Sequence, residues 1–171
     1  LNLMTAGRGI QHAEVSTATT EILHGVQLWV ALPESARHQA PHCDLSAGIV
    51  AEQDGSTVQL FVGSLARVGS IDAPVYWPMV AAQIDLAPES ELRLVVDPEF
   101  EYGVLVDSGE VTLGQALIPT HHLGYHPPGS AELILRGSVS GSRVILIGGK
   151  PFQEPLVMWW NFVGRSHEEI E

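Results

Sequence analysis

The sequence predicts an all-β protein, a sandwich or barrel of short antiparallel strands. Three observations carry that expectation. Apolar residues recur mostly with period two. The runs they form are bounded by Pro, Gly or Asp. Helical evidence is confined to the last few residues.

In chain order, the first feature is "MTAGRGIQHAE", residues 4–14. Gly7 and Gly9 permit a sharp, close-packed turn. His12 and Glu14 follow two apart, which on a β-strand puts both on one face. "HGVQLWVALP" reads as a strand with Val26, Leu28 and Val30 on one face and Gln27 and Trp29 on the other. Residues 33–56 have no clean period and are rich in Pro, Ser, Ala and His. They read as a linker or long crossing loop between a short first part, residues 1–50, and a longer β-rich part, residues 51–171.

The second part predicts strands at Val58, Leu60 and Val62 in "TVQLFVGSL", and at Leu92, Leu94 and Val96 in "ELRLVVDP". Two hairpins are expected. One turns at Asp107-Ser108-Gly109, where Gly109 supplies the positive φ. The other joins Leu133 and Leu135 to Val144 and Leu146 through "GSVSGS". At the end, "SHEE" offers Ser166 as a helix N-cap with Glu169 at capping-box spacing.

Composition narrows the function. Hydrophobic residues make up 45% and charged residues 16%, a globular balance. Eight basic against twenty acidic residues give a formal charge of −12, with no basic cluster. Direct nucleic-acid binding is disfavoured, because phosphate contacts need cations, and so is an anionic membrane surface. There is no apolar run of membrane-spanning length and no secretory leader pattern. Cys43 is the only cysteine, so no intrachain disulfide forms. A cytoplasmic protein is expected.

The chemistry-bearing candidates are few. His12 and Glu14 offer a nitrogen and a carboxylate oxygen suited to a first-row metal; solvated polar side chains on a strand have the same spacing. Arg8 is either a substrate anchor or solvated. His121, His122 and His126 lie within six residues in "PTHHLGYHPPG", with no carboxylate or cysteine close by, and read as surface imidazoles. Trp159, Trp160 and Phe162, with Asn161, read as a packing cluster rather than a planar-ligand site. Cys43 has no obvious base. No phosphate-binding glycine loop or serine nucleophile elbow occurs.

"MTAGRGIQHAE" followed by "HGVQLWVALP", together with "LIGGKPFQEPLVMWWNFVGRSHEEI" at the other end, resembles the pirin family of the cupin superfamily, especially its bacterial members. The resemblance implies two jelly-roll barrels. Residues 1–50 would be the end of an N-terminal metal-binding cupin plus linker, and residues 51–171 a C-terminal cupin. The chain would be truncated at both ends. "GRGIQH" fits the cupin Pro-x-Gly-x-x-His frame with Gly7 in place of proline. Pirins are described as holding one metal, usually iron, through three histidines and a glutamate. His12 and Glu14 match the last two; the earlier His-Pro-His-Arg-Gly stretch is not in this sequence. His24, before "QLW", would donate a hydrogen bond behind the metal or serve structurally.

The resemblance implies an iron(II)- or other divalent-metal-dependent dioxygenase of the quercetin 2,3-dioxygenase type. A flavonol would be its substrate, and Glu14 would double as general base. The alternative it implies is a redox-sensitive regulator that binds a protein partner, a transcription factor or a metabolic enzyme. A third reading is a β-barrel without activity of its own.

Overall fold

A computed structural model describes residues 1–171. It contains strands and one short 3₁₀ turn, and the all-β expectation holds. The strands are β1 (Asn2–Thr5), β2 (His42–Leu45), β3 (Ile49–Gln53), β4 (Ser56–Leu65), β5 (Gly69–Ile71), β6 (Met79–Leu86), β7 (Glu91–Val95), β8 (Glu101–Ser108), β9 (Val111–Leu113), β10 (Ala116–Ile118), β11 (Leu123–His126), β12 (Glu132–Gly137), β13 (Ser142–Gly149), β14 (Val157–Trp159) and β15 (Phe162–Gly164). No helix is long and apolar enough to cross a membrane.

The chain groups into two compact units. One comprises Leu1–Leu3 with Asp44–Phe152, the other Met4–Cys43 with Gln153–Glu171. The first is a two-sheet sandwich. Its larger sheet runs β11-β8-β13-β6-β4-β3, with β5 on β4; its smaller sheet runs β10-β9-β12-β7. From β6 to β13 the chain passes back and forth between the sheets, the jelly-roll habit.

Alternation explains the core. Val58 and Leu60 of β4, Ile84 of β6, Val104 and Val106 of β8, and Val144 and Leu146 of β13 project inward from the large sheet. Leu92 and Leu94 of β7, Val111 of β9, and Leu133 and Leu135 of β12 meet them from the small one. Each full burial of such a side chain contributes about 1.5–3 kcal/mol relative to exposure. Val58, Leu60 and Val62 lie on a strand as expected, as do Leu92 and Leu94, with Val96 buried just beyond.

Both expected hairpins fail in an instructive way. The turn at Gly109 forms, with φ +72°, but β8 pairs with β11 and β13 while β9 pairs with β10 and β12. The turn carries the chain from one sheet to the other. Likewise β12 pairs with β7 and β9, and β13 with β6 and β8. Leu133, Leu135, Val144 and Leu146 share one core without sharing a ladder. Residues 33–56 are also more ordered than a linker, since they contain β2, β3 and the start of β4.

The second unit departs further. Val26, Leu28 and Val30 lie on no strand and stay exposed, as does Trp29. Residues 9–16 carry no ladder either, so the shared strand face expected of His12 and Glu14 is not formed. A strand exists only where a neighbour takes its backbone groups, and none is paired with these segments. β14 and β15 form a tight hairpin through Trp160 and Asn161, Trp160 at φ +53°. Trp159, Trp160 and Phe162 are exposed rather than packed. At the end, His167–Glu169 makes a 3₁₀ turn after Ser166, but the Ser166 side chain makes no capping bond.

Candidate functional site

The glycine turn is held by backbone contacts. The Gly9 N–H donates to the Ala6 carbonyl at 2.9 Å, and the Arg8 N–H donates to the Gln39 carbonyl at 3.1 Å. Arg8 Nη1 donates to the His38 carbonyl at 3.2 Å. Gly7 takes φ +53°, and a Cβ there would lie 2.2 Å from the Gln39 oxygen. Arg8 is thus a brace between this turn and residues 38–39.

Residues 33–39 form the opposing surface. Ala36 and Arg37 N–H groups both donate to the Pro33 carbonyl, at 2.9 and 3.0 Å, and Gln39 N–H donates to that of Ala36 at 3.3 Å. These bonds fold the segment into consecutive hydrogen-bonded turns, with Pro33 at the start, where it serves as acceptor and needs no N–H.

His12 and Glu14 follow the glycine turn on an exposed stretch outside any strand. Imidazole nitrogen and carboxylate oxygen are donors that a first-row divalent metal takes, so the pair is chemically suited to one. Their number is not sufficient. Among the described residues, no group of three or more His, Cys, Asp or Glu side chains is placed to hold a metal ion.

Sequence reading missed the network around the C-terminal tail. The Arg37 guanidinium grips Glu169 with both ends of its fork, Nη1 to Oε2 at 2.8 Å and Nη2 to Oε1 at 3.0 Å, and its Nε donates to Glu34 at 2.5 Å. Glu169 also accepts the Arg165 N–H at 2.8 Å. That bond occupies the carboxylate the capping box would have used. Arg165, its side chain 13% exposed, donates to Glu154 at 2.6 Å and to the Leu32 carbonyl at 2.5 Å. Glu154 accepts the Glu34 N–H as well, at 3.0 Å. Hydrogen bonds and opposite charge set the titration: the Arg37 fork, then the Arg165 N–H, hold Glu169 below the ordinary carboxylate range. The Glu34 N–H, then Arg165, lower Glu154. Arg37 is raised in turn by Glu169 and Glu34. Glu34 and Arg37 at i,i+3 and Arg165 and Glu169 at i,i+4 are the local cues; the bonds that join residues 32–37 to residues 154–169 link partners remote in sequence.

The remaining candidates do not gather into a site. His121 and His122 are exposed and His126 half-buried at the end of β11. The His122 Nδ1 lies 3.0 Å from the Thr120 carbonyl, and the His126 Nδ1 lies 2.9 Å from that of Pro127. His24 and Cys43 are exposed. Inside the sandwich the buried hydrophobic side chains are aliphatic, apart from Tyr102, and the buried polar residues of that unit are Gln53, Ser56 and Ser142. No buried group there is a usual metal ligand, and open clefts of about 340 and 460 Å³ lie outside the core.

Comparison with known proteins agrees with both ends of the chain. Residues 81–171, more than half of it, match the pirin C-terminal cupin domain, and residues 1–30 match the pirin family. A Pseudomonas aeruginosa protein provisionally named a quercetin 2,3-dioxygenase is 40% identical over 173 residues, which is 99% of this chain and 54% of that protein. The crystal structure of a quercetin 2,3-dioxygenase from Acinetobacter baumannii superposes with a TM-score of 0.89 at 34% identity, over 99% of this chain and 56% of the other. A bacterial pirin from Escherichia coli, in complex with nickel(II), superposes at 0.52 with 21% identity, over 70% of this chain and 48% of the other, a likeness of fold. The chain thus spans little more than half the length of these two dioxygenase-named relatives.

Proposed function

The chain belongs to the pirin family, and from that premise we propose that it is part of a metal-dependent dioxygenase acting on a flavonol of the quercetin type. In this reading residues 1–50 close a metal-binding cupin and residues 51–171 form a second cupin that holds no metal. His12 and Glu14 supply two ligands to iron(II) or another divalent metal, and the others come from outside these 171 residues. The metal's part in such chemistry is that of a Lewis acid. Glu14 also accepts the hydroxyl proton of the substrate as it binds.

The observation that supports this most is the likeness across nearly the whole chain to two proteins bearing the quercetin 2,3-dioxygenase name. The aliphatic interior of the sandwich is consistent with chemistry in the other cupin. The test is oxygen uptake by the longer protein carrying this sequence, loaded anaerobically with Fe(II) and given quercetin. Uptake lost in His12→Ala supports the assignment; uptake absent in the parent, or unchanged in the variant, refutes it.

A second reading is a redox-sensitive regulator. The net charge of −12 favours a basic protein partner over DNA. It requires a partner recovered by pull-down in one iron oxidation state and not in the other.

A further inference from the structure

The tail network and the glycine turn meet on the same short segment, and their conjunction has a consequence for His12 and Glu14. We propose that Arg37 is a positioning residue: the C-terminal tail, acting through Arg37, seats the Gly7–Gly9 turn from which the His12–Glu14 segment emerges. The functional consequence rests on the reading of His12 and Glu14 as metal ligands; the mechanical link does not.

The link can be followed bond by bond. Glu169 is fixed in the tail by the Arg165 N–H and takes both arms of the Arg37 fork. Glu154, held by Arg165, takes the N–H of Glu34 at the beginning of the same turn. The segment is therefore gripped at residues 34 and 37 from the tail side. Its far end presents the His38 and Gln39 carbonyls to Arg8. Gly7 approaches Gln39 so closely that no side chain fits between them. A displacement of residues 34–39 is transmitted to Gly7 through backbone contact, since main-chain atoms cannot rotate aside as a side-chain tip can. His12 lies three residues beyond Gly9.

A bidentate arginine fork is suited to this role. It fixes angle as well as distance, which a lysine point charge does not. The residues of the link are polar and partly exposed, so they set position more than bulk stability.

The test is residue-resolved amide exchange on the 171-residue chain. Glu169→Gln and Arg37→Gln should each speed exchange at Arg8 and Gly9 about tenfold, with the amides of Val144 and Leu146 in the sandwich unchanged. Arg37→Lys should recover only part of the protection. The double variant should be no worse than the weaker single one, because both cut one link. Uniform acceleration throughout the chain would indicate general destabilisation and overturn the proposal. So would faster exchange at residues 34–37 with none at Arg8 or Gly9. If Arg37→Gln does not fold, Glu169→Gln carries the test.

Nickel(II) affinity of the longer protein separates this proposal from the function it serves. If exchange responds as expected but His12→Ala leaves affinity unchanged, the metal assignment fails and the link stands. If His12→Ala abolishes affinity while exchange ignores Glu169→Gln, the link fails and the assignment stands.

Discussion

Gly7→Ala tests how the glycine turn is built. Gly7 has φ +53°, and an L-residue held there costs about 1–2 kcal/mol. That cost alone is tolerable, since Asp54, Arg67 and Glu89 all adopt positive φ in this protein. The close approach decides the outcome. The new Cβ would sit 2.2 Å from the Gln39 oxygen, and reaching ordinary contact needs a shift of more than about 1 Å. The obstacle is a carbonyl, so residues 38–40 or the turn must move. The Arg8 N–H bond to that same oxygen is then lost, a further ~0.5–1.5 kcal/mol. Together the effects predict about 2–4 kcal/mol of local destabilisation, or roughly 30- to 1,000-fold faster exchange of the Arg8 amide. Gly114→Ala is the control. It has φ +61° with nothing within 4 Å of the added Cβ, so it carries the conformational cost alone. The measurement is amide exchange around each site in both variants. Equal effects at the two positions would refute the steric argument.

Three further outcomes are expected. Leu146→Ala, fully buried between β6 and β8, should cost about 2–5 kcal/mol in chemical denaturation; a loss below 1 kcal/mol would mean that the sandwich repacks freely. Tyr102 is buried, its hydroxyl donating to the Asp97 carbonyl, and burial pushes its pKa up to about 12. The native state then retains a proton that the unfolded chain releases above about pH 10, so stability falls between about pH 10 and 12; Tyr102→Phe should flatten that decline in urea titrations. Glu154 and Glu169, both held below the ordinary carboxylate range, contribute stability above that range, which is lost as pH falls through their lowered values. Acid should release residues 34–39 to a protease before it opens the sandwich, and the same order persisting in Glu154→Gln/Glu169→Gln would count against that assignment.

The sequence by itself determined which residues of the second part face inward. Period-two alternation is a local property, and it placed Val58, Leu60, Leu92, Leu94, Leu133, Leu135, Val144 and Leu146 in one core. It also marked the turn at Gly109 and the glycine turn before His12. It could not say which strand lies beside which. A strand's inward face looks the same whether the next strand pairs with it or crosses to the opposite sheet, as β8–β9 and β12–β13 do. Nor could alternation make a strand of Val26, Leu28 and Val30, because a ladder needs a second chain segment and the pattern describes only the first. The Arg37–Glu169 pair spans 132 residues, beyond the reach of any local motif. Tertiary structure alone decided which charges meet, and it thereby decided what holds the turn in front of His12 and Glu14.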